Sequence, residues 1–238
     1  MSKPLAQGSD VDRIRPSWLH REYWILTHLR RALEAFADQH QATMQGSLVV
    51  DFGSGDSPYR PFFERHGAVY KSADIPPVML GCLEIDPLTG KVNLPDESAS
   101  FVISTQVLEH VINVDAYLRE IRRILKPGGQ MLLSTHGTFR LHRHPTDMRR
   151  WTTDGLTYDI EHSGFKVLSM TPKIGLLATT THMRAMMFGL LARRPLLSWI
   201  PPIAYLFCNL KMAIEDACTP ASVMEMLPEL LIAVAVKE

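Results

Sequence analysis

Cysteine is scarce in this 238-residue chain, and charge of one sign does not dominate. The three cysteines, Cys82, Cys208 and Cys218, are odd in number and have no metal-type spacing, so we expect reduced thiols and a cytoplasmic protein. Lys and Arg total 25 and Asp and Glu total 25, which gives a formal net charge of zero. No global field therefore attracts nucleic acid, and we expect no nucleic-acid partner.

The sequence also lacks internal repeats, low-complexity tracts and an apolar signal-type core near residue 1. Residues 195–210 carry no charge, but this stretch is shorter than the roughly 20 residues of a membrane-spanning helix. Three prolines interrupt it and two arginines precede it. We therefore expect no transmembrane helix, and the length of the chain fits one domain with an elaboration.

A short apolar run followed by closely spaced glycines is the most informative feature present. Residues 48–50 have the continuous apolar character of a parallel strand that is buried on both faces. Asp51, Gly53 and Gly55 follow this strand. The glycines allow a sharp turn in which bare backbone approaches a ligand. This pattern predicts a nucleotide-type pocket at the carboxyl edge of a sheet.

The residues after the glycines indicate which kind of nucleotide the pocket binds. Ser57 is predicted as an N-cap and Pro58 as the first helical residue. A dinucleotide fingerprint requires glycine where Pro58 stands, which argues against NAD or FAD. Residues 67–74 form a second predicted strand that ends at Asp74. A carboxylate at this point can accept the two hydroxyls of a ribose.

These segments together resemble the class I S-adenosylmethionine (SAM) methyltransferases, in particular the bacterial type 11 methyltransferase-like family. Residues 51–57 resemble motif I of that family, with serine in place of its last glycine. Residues 94–111 resemble its fourth-strand segment, and residues 125–134 resemble the following helix end, turn and fifth strand. One departure is Ala99-Ser100, where the family usually has Phe-Asp. This departure concerns entry into the strand more than activity.

The resemblance implies a doubly wound α/β fold with a seven-stranded, mostly parallel sheet. Residues 164–170 and 230–237 are predicted as the last two strands, and in the family the final strand inserts antiparallel between the fifth and sixth. We predict an N-terminal helical extension over residues 1–44 and a methyltransferase domain over residues 45–238. An apolar helical insertion occupies residues 174–228 of that domain.

Two helices are predicted from the spacing of apolar residues. One spans residues 16–40 and is interpreted as an amphipathic helix on the sheet or as a lid over the substrate. The other spans residues 115–126, with Asp115 as its cap and two glycines, residues 128–129, ending it.

The resemblance implies SAM as cofactor and a set of residues that bind it. The predicted cofactor-binding residues are Asp51, Gly53, Gly55, Asp74, Asp86 and Gln106. The first three serve the methionine end and the turn, and Asp74 binds the ribose. Asp86 is placed near the adenine and Gln106 near the methionine portion. His110 is either part of the pocket wall or a hydrogen-bonded residue at a helix start.

Candidates for a general base lie on the loop after the fifth strand, residues 135–152. His136, His142 and His144 are the candidates, since histidine titrates near neutrality. The loop resembles a His-x-x-Pro-x-Asp-x-x-Arg-Trp-Thr stretch of bacterial methyltransferases linked to cell-surface glycan or lipid-linked sugar pathways. A metal held by these histidines and Asp147 is not expected, because their spacing fits no standard zinc pattern. The loop arginines either clamp an anionic acceptor or form a salt bridge with Asp147.

The apolar residues 174–210 leave several interpretations open. They can form a buried helical subdomain, an acceptor pocket, a homodimer face or a peripheral membrane contact. The predicted function is methyl transfer from SAM to a small or lipid-linked acceptor, at oxygen. The alternative is a SAM-binding regulatory module without transferase activity.

Overall fold

A seven-stranded sheet forms the centre of the molecule in a computed structural model that describes residues 13–143 and 146–238. The strands are β1 (Leu48–Phe52), β2 (Val69–Asp74), β3 (Leu83–Glu84), β4 (Ala99–Thr105), β5 (Leu125–His136), β6 (Phe165–Lys173) and β7 (Leu230–Lys237). Their order is β3-β2-β1-β4-β5-β7-β6. The pairs β5–β7 and β6–β7 are antiparallel and the other pairs are parallel. The predicted fold class and the inserted last strand are confirmed.

The helices connect the strands and cover both faces of the sheet. They are α1 (Tyr23–Gln39), α2 (Gln41–Met44), α3 (Arg60–Glu64), α4 (Val114–Ile124), α5 (Thr153–His162), α6 (Leu176–Met187), α7 (Ile200–Ala217) and α8 (Ala221–Met224). Short 3₁₀ turns occupy Leu108–His110, Phe188–Arg193 and Pro195–Leu197. The elements α6 to α8 fill the predicted helical insertion before the last strand.

The core has two layers, one on each face of the sheet. Val50 of β1 packs in the layer that contains Leu118 of α4 and Leu156 of α5. Its neighbour Val49 packs in the opposite layer, which contains Leu33 of α1. Successive side chains of a strand point to opposite faces, so a strand covered on both sides is apolar throughout. This explains why the motif I strand has no polar alternation.

The N-terminal helix is shorter than predicted, because α1 begins at Tyr23 rather than near residue 16. The Asn209 side chain of α7 donates hydrogen bonds to the carbonyls of Trp18 and His20, at 2.8 and 2.9 Å. A tertiary contact therefore holds two carbonyl groups that the predicted helix would have used. The apolar face of α1 packs on the sheet, so this helix contributes to the main core.

The predicted boundaries of α4 were also wrong. The cap is Asn113, whose side-chain oxygen accepts a hydrogen bond from the Ala116 amide at 3.1 Å, and not Asp115. The helix ends at Ile124, because Leu125 already has extended backbone angles and begins β5. Strand β5 thus takes the last two residues that were assigned to the helix, and Leu125 pairs with Ala99 of β4.

The predicted helix start at Ser57 and Pro58 was wrong as well. Ser57 has a φ of +55°, and α3 begins only at Arg60. An N-cap residue normally has extended backbone angles, so Ser57 does not cap this helix. Ser57 instead adopts the left-handed conformation that favours glycine, and it stands where the resembled motif has its last glycine.

Entry into β4 is irregular at the unusual Ala99-Ser100 pair. The register of β4 against β5 shifts between Ala99 and Phe101. Ala99 is nevertheless fully buried, and the strand continues to Thr105 at the edge of the site. The departure from the family pattern therefore changes the entrance of the strand and not its functional end.

Candidate cofactor and acceptor site

The turn after β1 requires its two glycines for different reasons. Gly53 has a φ of +87°, and a Cβ atom there would lie 2.4 Å from Cγ2 of Val107. Gly55 has a φ of +53°, and a Cβ atom there would meet no atom within 4 Å. The first glycine is needed for close packing against the segment after β4. The second borders open space at the carboxyl edge of the sheet, as a turn that cradles a ligand must.

Asp74 connects this turn to the end of β2. One carboxylate oxygen accepts the Gly55 amide at 2.7 Å, and the other accepts the Ile75 amide at 2.7 Å. A carboxylate oxygen has a second lone-pair site after accepting one hydrogen bond. Asp74 is therefore fixed in orientation and retains capacity for the two hydroxyls of a ribose, so the site fits a nucleoside cofactor.

Asp51 is nearly fully buried at the end of β1 and accepts a hydrogen bond from the Tyr70 hydroxyl. Burial raises the pKa of Asp51 to about 7, although the Tyr70 hydrogen bond opposes the shift. A nearby positive charge lowers the pKa of a carboxyl group. A cationic ligand at this position would therefore favour the ionised form of Asp51.

Gln106 and Asp86 complete the predicted cofactor set. Gln106 follows β4 with a φ of +57°, and its side-chain amide lies 3.4 Å from the Ser134 hydroxyl. Asp86 is exposed beyond β3 and accepts the amides of Leu88 and Thr89 at 2.8 and 2.9 Å. These backbone hydrogen bonds lower the pKa of Asp86. Asp86 thus holds a local turn, and its place near the adenine stays a prediction.

A buried carboxylate and an imidazole face each other at the neighbouring strand ends. Glu109 Oε1 lies 3.5 Å from Nε2 of His136, and the other Glu109 oxygen accepts the Thr135 hydroxyl at 2.8 Å. Burial raises the pKa of Glu109 to about 7. Burial also lowers the pKa of His136 well below its usual value. The group of this pair that titrates near neutrality is therefore the carboxyl group.

His142 lies beside this pair and is oriented by Asp147. The His142 amide donates to the Asp147 carboxylate at 2.8 Å, and Nδ1 of the ring lies 3.6 Å from the same oxygen. The ring packs edge-on against His136, with 5.4 Å between centroids. Burial lowers the pKa of His142 to about 4, so its imidazole is neutral at pH 7. The candidate His144 lies outside the described residues.

Some arginines of this loop hold the loop in place, and another can contact a bound acceptor. Arg149 donates to the carbonyls of Val111 and Ile112, and Arg150 forms a two-pronged ion pair with Asp147. Both have partners that hold the loop in place. The Arg140 guanidinium lies 5.6 Å from the Phe139 ring, and burial lowers its pKa. Arg140 is therefore the candidate for contact with an anionic acceptor.

Three of these side chains also form a candidate set of metal ligands. Donor atoms of Glu109, His136 and His142 all lie within 4.8 Å of one another. Zinc bonds of 2.0–2.1 Å would place tetrahedral donors about 3.4 Å apart. The 3.5 Å contact between Glu109 and His136 approaches this spacing, but the set as a whole would have to contract. These three side chains would therefore hold a zinc ion only after such a contraction.

The sequence did not point to Glu109 as part of this cluster. The sequence pattern indicated its neighbour His110 instead, whose Nδ1 contacts the Thr146 carbonyl at 2.5 Å. A second buried pair, His182 and Glu229, was also missed, with 2.6 Å between Nδ1 and Oε1. These two residues are 47 positions apart, and no local pattern connects them.

Comparison with known proteins agrees with this geometry. A family model described as a methyltransferase domain matches residues 19–170. This match covers more than half of the chain, and the protein belongs to that family. It is a class I SAM-dependent methyltransferase by fold and family, and its cofactor is SAM.

Two curated relatives and one solved structure illustrate the likeness. A demethylmenaquinone methyltransferase of Tropheryma whipplei (strain Twist) is 28% identical over 143 residues, 56% of each protein. A ubiquinone biosynthesis O-methyltransferase of Xanthomonas oryzae pv. oryzae (strain PXO99A) is 29% identical over 105 residues, 39% of this chain and 44% of the relative. The chain thus spans about half the length of these relatives. An S-adenosylmethionine dependent methyltransferase structure from Mesorhizobium loti has a TM-score of 0.52 at 18% identity, covering 86% of this chain and 100% of that one, and shares the fold.

Proposed function

We propose that this protein transfers the methyl group of SAM to an oxygen atom of a small, amphiphilic or lipid-linked acceptor. The observation that carries the proposal is the cluster of Glu109, His136 and His142 beside the strand ends that hold the cofactor residues. When bound, SAM supplies an electrophilic methyl group on a sulfonium cation. The chain's own residues bind SAM, orient the acceptor and remove a proton from the acceptor hydroxyl.

Cofactor binding falls to the residues at the ends of β1, β2 and β4. Asp74 accepts the ribose hydroxyls while the Gly55 and Ile75 amides hold its carboxylate. Asp51 provides negative charge at the methionine end. Gln106 contacts the methionine portion, with its position set by the hydrogen bond from its amide to the Ser134 carbonyl at 2.9 Å.

The histidine cluster provides the proton acceptor. His142 keeps 15% of its side chain exposed, His136 keeps 4%, and Glu109 keeps none. The acceptor hydroxyl donates a hydrogen bond to His142, and its proton passes through the His142 imidazole to the Glu109 carboxylate, because the donor atoms of the cluster lie within 4.8 Å of one another. Glu109 suits this role because a general base works best with a pKa near the working pH. Such a base typically contributes a factor of about 10²–10⁴ to the rate.

The mouth of the site and the relatives support this acceptor class. Arg140 offers positive charge, and Phe139 stacks on His136 with 4.0 Å between centroids. An apolar ring beside a guanidinium suits an amphiphile with a polar or anionic head. Two of the relatives are a demethylmenaquinone methyltransferase and a ubiquinone biosynthesis O-methyltransferase, which supports this class. We propose action at the cytoplasmic side of a membrane, on this kind of molecule.

The test is methyl transfer from isotope-labelled SAM to hydroxylated amphiphiles and to their short-chain analogues. The proposal expects product on the amphiphiles, with His142→Ala lowering kcat at unchanged SAM affinity. Arg143→Ala is the matched control, since Arg143 is exposed on the same loop. Equal rates for His142→Ala and the parent would contradict the role of the cluster.

A SAM-binding regulatory module is the second candidate, favoured by the imperfect motif I and the irregular entry to β4. It predicts tight SAM binding without turnover on any acceptor, together with a co-purifying partner. Product formation in the labelled assay excludes it.

A further inference from the structure

An apolar stripe runs along the outer face of α7. Its members are spaced three or four residues apart and are between 45% and 66% exposed. They are Trp199, Ile203, Phe207, Leu210 and Ile214. This spacing places them on one face of the helix. Leu190 and Leu196, on the turns that precede α7, are also exposed. We call the five side chains the α7 stripe.

The opposite face of α7 is anchored to the domain. Tyr205, Asn209 and Met212 are buried. Asp216 accepts the Trp24 indole N–H at 3.2 Å and the Gly175 amide at 2.9 Å. By length and composition, the helical segment Pro195–Ala217 is apolar enough to cross a membrane, with 22% of its most apolar window buried. Because polar contacts hold one side of α7, its geometry is that of a helix lying along a surface.

The stretch of sequence that contains the stripe carries charge of one sign until Glu215 follows Ile214. Between Glu161 and Glu215 the chain carries no acidic residue. It carries six basic residues over the same stretch: Lys166, Lys173, Arg184, Arg193, Arg194 and Lys211. Arg194 immediately precedes the turns that lead to Trp199 and is exposed. An apolar face with basic residues and an interfacial tryptophan is the pattern of a helix at an anionic lipid surface.

We infer that the α7 stripe docks this protein onto the surface of an anionic lipid bilayer. The stripe enters the boundary between headgroups and acyl chains, and the exposed Arg194 contacts the headgroups. A second copy of the chain fits this face less well, because a two-fold pairing would bring the same basic residues together. Docking is independent of methyl transfer and can be measured without an acceptor.

The test is co-sedimentation of the full chain with vesicles of phosphatidylcholine, with and without phosphatidylglycerol. The parent should bind the anionic vesicles more tightly, and added salt should weaken this binding. The variant Ile203→Ser/Phe207→Ser should bind at least about tenfold more weakly, because two exposed apolar side chains that would enter the bilayer are lost. Arg194→Glu should reduce the preference for anionic vesicles by about fivefold or more.

The matched control is Tyr158→Ser/Leu168→Ser, which removes one aromatic and one aliphatic side chain that are also exposed. It should bind vesicles like the parent. Binding of S-adenosylhomocysteine by each variant verifies that it is folded. The inference is overturned if the parent does not bind vesicles, or if control and stripe variants lose binding equally. It is also overturned if the stripe variant abolishes a dimer in light scattering and leaves vesicle binding unchanged.

Discussion

The Arg150 guanidinium holds the Asp147 carboxylate with two hydrogen bonds, of 2.6 and 2.8 Å. Arg150 also donates to the Arg140 carbonyl at 2.8 Å, so one side chain ties the two ends of the loop together. Burial opposes ionisation of Asp147, but the bonds from Arg150 and from the His142 amide outweigh it and lower its pKa. The loop that carries His142 is therefore fixed by an ion pair inside the protein.

Replacing Arg150 by lysine should disturb this loop. A lysine cannot form the two-pronged contact, and hydrogen bonds to charged groups contribute about 1.5–3 kcal/mol each. We expect Arg150→Lys to lower the free energy of unfolding by about 1–3 kcal/mol and to lower kcat through misplaced His142. Urea unfolding and initial rates measure both. Arg143→Lys should change neither, and an equally large effect there would contradict the assignment.

Without cofactor, the buried carboxylate of Asp51 should destabilise the folded protein, and binding of SAM should offset this effect. Its pKa of about 7 in the folded protein lies above the value of about 3.9 expected when unfolded. The folded state then binds more protons between these values, so its stability falls as the pH rises through this window. Asp51→Asn should gain stability relative to the parent from about pH 5 to pH 8, on the order of 2–4 kcal/mol.

Thermal unfolding without ligand at these two pH values measures the gain. The same variant should bind SAM more weakly, because it cannot supply negative charge. A parent-to-variant difference that is constant with pH would show that Asp51 is ionised in the folded protein without ligand.

The pH dependence of methyl transfer should follow Glu109. Burial raises its pKa to about 7, and the pair with His136 accepts a proton only when the carboxyl group is ionised. We therefore expect kcat to rise through neutral pH and then level off. Glu109→Gln should remove this rise and lower kcat by about 10²-fold or more. A rise that persists in Glu109→Gln would assign the titration to another group.

The two glycines of the β1 turn should respond differently to alanine. Gly53→Ala places a Cβ atom 2.4 Å from Val107 Cγ2, so we expect a loss of stability of about 1–3 kcal/mol. Val107→Ala in the same chain should restore part of that loss. Gly55→Ala meets no atom and should cost only about 1 kcal/mol of backbone strain. The Gly55→Ala variant should nevertheless bind SAM more weakly. Titration calorimetry measures the binding, and urea unfolding measures the stability of both variants.

The sheet and the cofactor turn were predictable from the sequence because each depends on residues that are close in the chain. The apolar run before Asp51 specifies a doubly buried strand, and the glycine turn follows directly. The final strand, Leu230–Lys237, has the apolar composition of a central strand. Its antiparallel insertion was known only through the resemblance.

Two of the helix-boundary errors arose where distant residues determine local structure. The side chain of Asn209 takes carbonyl groups that a longer α1 would have used, and pairing with β4 ends α4 early. The contact of Glu109 with His136 and the bond from Tyr70 to Asp51 join residues on different elements. Only the fold brings these groups together, and their shifted pKa values follow from burial that the sequence does not display.

Titration calorimetry of S-adenosylhomocysteine tests the central claim most directly, because this product needs no acceptor and does not react. We expect one binding site per chain. Asp74→Ala should bind at least about tenfold more weakly, through the lost contacts to the ribose, while its far-ultraviolet circular dichroism matches that of the parent. Folded parent protein that binds neither this product nor SAM, or an Asp74→Ala variant that binds like the parent, would contradict the assignment of this edge of the sheet as the cofactor site.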